Sequence, residues 1–288
     1  MCIQNQNLSL IRSNLQANCS VENRHTLSLC IQPQKNMKIT FLGTGTSTGV
    51  PETGCTCPVC TSSDPRDSRL RTSVLVESNN NRILLDCGPD FRQQMSHIPF
   101  GKIDGILLSH EHYDHVSGID DLRPFCRFGD INIYAESNVA TAIRTRIPYC
   151  FGESLYPGVP RIIMNEIDIN TPFLINNTEI IPIRVLHGKL PIAGYRIGNM
   201  AYLTDVSTIP ESEYSKLQNL DLLIMSALRQ EKHPSHQSLD EAITNAQRIN
   251  AKQTSLIHFS HHLGLHSNIE SILPNNIHLS YDGLKVTI

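Results

Sequence analysis

His110-Glu111-His112-Tyr113-Asp114-His115 places three imidazoles and one carboxylate within six residues. With 13 His in 288 residues, shuffling produces such a pattern in on the order of one chain in a thousand, so coincidence is a poor account of it. Imidazole and carboxylate are ligands for Zn²⁺, Mn²⁺ or Fe. A tight loop can aim His110 and His112 one way and Asp114 and His115 the other, so one segment can serve two cations. The competing reading is a polar surface loop.

Outward from this segment, the same residue types recur at strand ends. His110 follows a strand-like run at Gly105 to Leu108, His187 follows Ile180 to Leu186, Asp205 follows Ala201 to Thr204, and His258 follows Ser255 to Ile257. Loops on the ends of a rigid sheet hold side chains exposed yet fixed. The distribution therefore predicts one convergent cluster, although each residue alone is also an ordinary polar strand terminus. Further strands are predicted at Lys38 to Leu42, Ser73 to Glu77, Ile83 to Asp86, Ile131 to Tyr134, Ala193 to Ile197, Leu222 to Met225 and Leu284 to Ile288. Turns are expected at Ser78 to Asn81 and at Gly198-Asn199. Helices are expected at Asn138 to Arg146, Glu211 to Leu220 and Leu239 to Ile249, the last with Ser238 and Glu241 at capping-box spacing.

Composition narrows the class. The chain is 40% apolar and 18% charged, with no apolar run near the roughly 20 residues of a membrane-spanning helix, which reads as a soluble globular protein without a membrane partner. Lys and Arg total 24 against 27 Asp and Glu, with no basic run, so broad capture of nucleic acid is disfavoured and a small ligand fits better. Nine Cys is an odd number, and Cys55, Cys57 and Cys60 fall in one short stretch. That pattern suits metal ligation in a reducing compartment, the cytoplasm by default, better than a disulfide framework. Three thiolates leave one corner of a tetrahedral Zn²⁺ open, and a site closed by four protein ligands is structural. His261, His262 and His266 are the nearby candidates for the fourth.

The hexapeptide, with Leu42-Gly43-Thr44-Gly45-Thr46-Ser47 and Leu85-Asp86-Cys87-Gly88-Pro89-Asp90, resembles the metallo-β-lactamase superfamily over about residues 37 to 288. The segment Cys55-Thr56-Cys57-Pro58-Val59-Cys60 and the downstream His233-Pro234-Ser235-His236 are similar to the phosphoribosyl cyclic phosphate phosphodiesterases, relatives of the tRNA 3′-processing ribonucleases. The resemblance implies an α/β fold, a four-layer αββα sandwich with the metal pair at one edge. It implies that His110, His112 and His187 hold one divalent ion, Zn²⁺ or Mn²⁺, and that Asp114, His115 and His258 hold a second, with Asp205 between them. It favours His261 as the fourth ligand of a structural Zn²⁺, and it points to His236 and Asp114 as catalytic residues. A helix-entry role for His236 is the alternative, since Ser238 caps the helix that follows. The implied reaction is hydrolysis of a small, cyclic phosphodiester; a tRNA-processing nuclease and a non-catalytic metal scaffold are the competing readings.

Several features read more plainly. Gly43 to Gly49 lacks the lysine-bearing pattern of a nucleotide-phosphate loop, so a tight turn beneath the metals is the expectation. Arg69 and Arg71 are candidate phosphate contacts. Asp86 and Asp90 are candidates to orient ligand histidines through their free ring nitrogens. Phe151 to Pro160 is short and carries no Lys or Arg, which argues against a tRNA clamp. Residues 1 to 36 contain no apolar run long enough for a signal-peptide core and read as a disordered extension or as sequence upstream of the true start. A small phosphodiester substrate is the expected partner, and nothing in the residues opposes a homodimer.

Overall fold

The computed structural model describes residues 36–151 and 158–288. The expectation for residues 1 to 36 falls, apart from Asn36, outside the described residues, as does most of Phe151 to Pro160. Among the described residues the strands are β1 (Lys38–Gly43), β2 (Ser73–Ser78), β3 (Asn81–Leu85), β4 (Gly105–Leu107), β5 (Ile131–Ala135), β6 (Ile162–Glu166), β7 (Phe173–Ile175), β8 (Thr178–His187), β9 (Leu190–Ile197), β10 (Met200–Leu203), β11 (Leu222–Ser226), β12 (Gln253–Ile257), β13 (Ile277–Leu279) and β14 (Lys285–Thr287). The α-helices are α1 (Phe91–Met95), α2 (Tyr113–Val116), α3 (Ser137–Arg146), α4 (Leu239–Ile249) and α5 (His266–Glu270). The strands form two mixed seven-stranded sheets, ordered β14-β1-β2-β3-β4-β5-β6 and β13-β12-β11-β10-β9-β8-β7.

Strand alternation sorts the apolar side chains into three layers. Ile39, Phe41, Val74, Val76 and Leu85 of the first sheet meet Tyr195, Ile197, Tyr202, Leu222 and Ile224 of the second. From the same strands, Leu75, Leu84 and Ile106 turn the other way, onto Phe91, Leu122, Phe125, Val139 and Ile143. Leu223, Met225 and Leu256 leave the outer face of the second sheet to meet Ala242, Ala246 and Ile249 of α4. Runs such as Leu222-Leu223-Ile224-Met225 are continuously apolar because both faces are covered. The result is the expected helix-sheet-sheet-helix sandwich.

Local chemistry sets the connections. Asn79 and Asn80 both adopt positive φ, at 50° and 65°, and turn β2 into β3 with Ser78 opposite Asn81, the geometry of a tight hairpin. Gly198, at φ 55°, turns β9 into β10. At α4 the Ser238 hydroxyl accepts from the Glu241 N–H at 3.4 Å, and the Glu241 carboxylate accepts from the Ser238 N–H at 2.9 Å. Such a cap stabilises a helix start by about 1 kcal/mol.

The segment expected as a helix from Glu211 to Leu220 is instead a 3₁₀ helix over Glu211–Leu217. Buried Glu213 accepts from the Arg184 N–H of β8 at 3.0 Å and pairs with Lys216 at 2.8 Å, which anchors the turn to the sheet before a regular helix develops. The short strands β6, β7 and β13, of five, three and three residues, were not legible, because they lack a sustained apolar period. Among the described residues no helix is long and apolar enough to cross a membrane.

Candidate metal centre

The seven residues expected to converge do so at one edge of the sandwich. The loop after β4 carries His110; His112 precedes α2, whose first turns carry Asp114 and His115. From the second sheet, His187 ends β8, Asp205 follows β10 and His258 follows β12. Candidate ligand atoms of His110, His112 and His187 lie within 4.8 Å of one another, as do those of Asp114, His115, Asp205 and His258. Asp205 joins the two groups. Its Oδ1 lies 3.2 Å from His115 Nε2 and 3.1 Å from His258 Nε2, while Oδ2 lies 3.9 Å from His110 Nε2. His236 also reaches the junction, with Nδ1 4.0 Å from Asp205 Oδ2.

A cation fits this donor set. The Nε2 atoms of His110, His115 and His258 are buried and have no hydrogen-bond partner. An unpartnered buried nitrogen costs about 1–3 kcal/mol, a penalty that coordination removes. Three of the rings are turned so that Nε2 faces inward. The Nδ1–H of His115 donates to Asp86 Oδ2 at 2.8 Å, and that of His187 donates to the Ser235 carbonyl at 2.7 Å. His110 Nδ1 is 3.0 Å from the Ser109 hydroxyl. The second group is wholly buried, whereas His112 is exposed and His187 half-buried, so a ligand reaches the centre from the side of His112, His187 and His236.

Protonation follows burial and charge. Burial, then His115, hold His110 well below the usual histidine range, in the neutral form that binds metal. Burial opposes charge on His115, yet Asp114, Asp205 and Asp86 outweigh it and raise the group well above that range. Burial likewise opposes charge on Asp205, but His258 and His115 hold its carboxyl well below the usual value. Burial and His258 lower His236 to about 3.

Backbone strain concentrates here. Asp86, Asp205 and His258 adopt φ of 59°, 53° and 62°, a left-handed conformation costing of order 1–3 kcal/mol per residue and maintained by its surroundings. Asp86 is fully buried and accepts from Ser109 N at 2.8 Å and from the Tyr202 hydroxyl at 2.8 Å, besides His115. Gly88 is required for close approach: a Cβ there would stand 2.0 Å from the Asp114 carbonyl oxygen. The Gly43 to Gly49 turn braces the same edge, because Phe259 N donates to the Thr44 carbonyl and Thr46 N to the Phe259 carbonyl, at 3.0 and 2.9 Å, directly after His258.

Some expectations need correction. Asp90 touches no ligand histidine; its carboxylate accepts from the Arg71 main chain at 2.8 Å and from the Arg71 guanidinium at 3.1 Å. Arg69 is no surface phosphate contact. It is buried, donates to Thr44 Oγ1 at 2.9 Å and to the Ser280 carbonyl at 2.7 Å, and lies 3.1 Å from His266 Nδ1. That engagement also removes His266 from the thiolate site. Tyr202, Ser109 and the Ser235 carbonyl were missed, since a strand tyrosine, a serine and a backbone group carry no signal of what they will face.

A second cluster gathers Cys55, Cys57, Cys60 and His261, again with ligand atoms within 4.8 Å. His261 Nδ1 is 3.3 Å from the sulfurs of both Cys55 and Cys57, while its Nε2 is 3.2 Å from the partly exposed Glu52 carboxylate. The Cys60 N–H, then His261, lower the Cys57 thiol to about 6, whereas burial raises Cys60 to about 11.

Residues 81–259 match the β-lactamase superfamily domain model. This chain belongs to the β-lactamase superfamily. Among solved structures it is similar to a diphosphatase from the PhnP family, with 38% identity and a TM-score of 0.83 over 88% of this chain and 98% of that one. A human tRNase Z, short form, shares the superfamily fold at 20% identity and a TM-score of 0.65, covering 86% of this chain and 98% of that one. Among curated proteins it is 46% identical over 254 residues to an octanoyltransferase of Porphyromonas gingivalis, aligned with 88% of this chain. The chain spans about half the length of that relative, 52%.

Proposed function

We propose that this superfamily member is a dinuclear phosphodiesterase acting on a small, cyclic phosphodiester such as a phosphoribosyl 1,2-cyclic phosphate. The observation that carries the reading is the bridging position of Asp205, one oxygen toward His115 and His258 and the other toward His110 and His236. His110, His112 and His187 would hold one divalent ion, Zn²⁺ or Mn²⁺, and Asp114, His115 and His258 a second, and the pair would supply an activated water and charge stabilisation at the phosphorus. Asp86, Ser235 and Ser109 fix the rings that face inward, and Asp114 serves catalysis as a buried anion that keeps its charge. His236 borders the open side and is the residue to protonate a departing alkoxide, a contribution of about 10²–10⁴-fold. Burial and His258 disfavour a proton on the ring, and an anionic phosphate beside it would favour one. Cys55, Cys57, Cys60 and His261 form a closed set suited to a structural Zn²⁺.

A second reading is cleavage of a phosphoanhydride, supported by the 38% identity to a PhnP-family diphosphatase. A phosphate leaving group needs little protonation, so this reading asks less of His236. We place the enzyme in the cytoplasm, as a small-molecule hydrolase, because partly exposed thiols grouped around His261 belong in a reducing compartment. Elemental analysis of the purified protein, combined with hydrolysis of a panel of cyclic diesters, linear diesters and diphosphates, tests the scheme. About three metals per chain with turnover of a cyclic diester is expected. Turnover confined to diphosphates would move the assignment to the second reading, and an inert metal-loaded protein would remove both.

A further inference from the structure

The Tyr113 ring is 71% exposed, although its neighbours in sequence are the candidate ligands His112 and Asp114. It borders a cavity of about 390 Å³, within the roughly 300–1,000 Å³ range of small-molecule sites. Val116, Ile143 and Ile147 give the cavity an apolar lining, and Tyr149, itself 45% exposed, supplies a second aromatic ring. Tyr149 donates to the Asp120 carboxylate at 2.9 Å, and that carboxylate also takes the Arg123 guanidinium at 2.6 Å. The ring is therefore anchored through its hydroxyl, and Asp120 has its charge compensated.

One polar group of the lining stands beside these rings. Arg146 donates to the carbonyl of Glu111, the residue between His110 and His112. One wall of the cavity is thus tied to the backbone that carries the metal ligands. Exposed aromatic rings and a guanidinium around an apolar lining match a flat heteroaromatic ring with a polar edge.

We propose that this cavity binds a nucleobase, so that among small phosphodiesters a nucleotide whose phosphorus end lies at the metal centre is preferred over the base-free phosphoribosyl 1,2-cyclic phosphate. The placing of the phosphorus end rests on the phosphodiester reading above; the base site does not. Adenosine monophosphate and ribose 5-phosphate differ by the base, and isothermal titration of each into the metal-loaded protein isolates its contribution. Adenosine monophosphate is expected to bind at least about tenfold more tightly. Tyr113→Leu and Tyr149→Leu should each bring it toward the affinity of ribose 5-phosphate, which should itself be unchanged. Tyr149→Phe, which retains the ring, should keep most of the preference. Equal affinity for the two ligands, or a preference that survives both leucine variants, would overturn the proposal. Tyr113 is exposed enough that its variant decides the matter even if Tyr149→Leu fails to fold. A base preference in a protein that hydrolyses no phosphodiester would support this site while removing the reaction assigned above.

Discussion

His115 Nδ1 and Asp86 Oδ2 are 2.8 Å apart, and both side chains are fully shielded from solvent. The carboxylate decides which ring nitrogen keeps the proton, and therefore which one is offered to a cation. Asp86→Asn preserves the volume but lets an amide N–H face the same nitrogen. Metal affinity at the buried group should fall by about 10–100-fold, read by competition with a chelator. Unchanged affinity would show that His115 is positioned by packing alone.

Asp205→Ala removes the only carboxylate shared by the two imidazole groups among the described residues. Turnover should drop by about 10³-fold or more, with at least one metal lost per chain by elemental analysis. Full metal content with intact turnover would eliminate the bridging role.

For His236, the leaving group is the discriminating variable. His236→Ala should slow an alkyl phosphodiester by about 10²-fold or more and a p-nitrophenyl ester far less, because nitrophenolate departs without a proton. Equal slowing of both esters would exclude the acid role.

The thiolate cluster makes a separable prediction. His261→Ala should cost one Zn²⁺ per chain and lower the thermal midpoint, while leaving the other metals bound when measured at low temperature. Loss of every metal together would show that the two clusters do not assemble independently.

Acid sensitivity has an assignable component. Burial, then Arg69, depress His266 to about 4, from an ordinary value of 6.5. A folded value below the unfolded one means that its stabilisation is fully present above about pH 6.5 and is lost as pH falls toward about 4. His266→Gln should therefore lose less stability than the parent chain between about pH 7 and about pH 4.5, compared by urea unfolding. Parallel losses in the two proteins would assign the acid transition to other groups.

Much of this site can be read from one dimension, for a physical reason. A metal ligand must be His, Asp or Cys, so His110 to His115 and Cys55 to Cys60 announce themselves by residue type and spacing. The long strands were legible because burial on both faces demands apolar runs such as Leu222 to Met225. What was hidden depends on partners distant in sequence. Asp86 meets Tyr202 across 116 positions, and Arg69 meets Ser280 across 211. An isolated Arg reads as solvated, and only the folded chain reveals Arg69 as an internal strut. The 3₁₀ turn at Glu211–Leu217 departs from the expected helix for the same reason, since its anchor lies on β8.

The donors come from both sheets: His110, Asp114 and His115 from one side, His187, Asp205 and His258 from the other. Their separations are therefore set by how the two sheets lean on each other, which Phe41, Tyr195 and Ile224 govern from deep inside. A conservative change of volume at any of these three positions should shift the donor separations without touching a donor. Mutational drift in that hidden layer is thus a route by which one ancestral scaffold can retune its chemistry while every coordinating side chain stays the same.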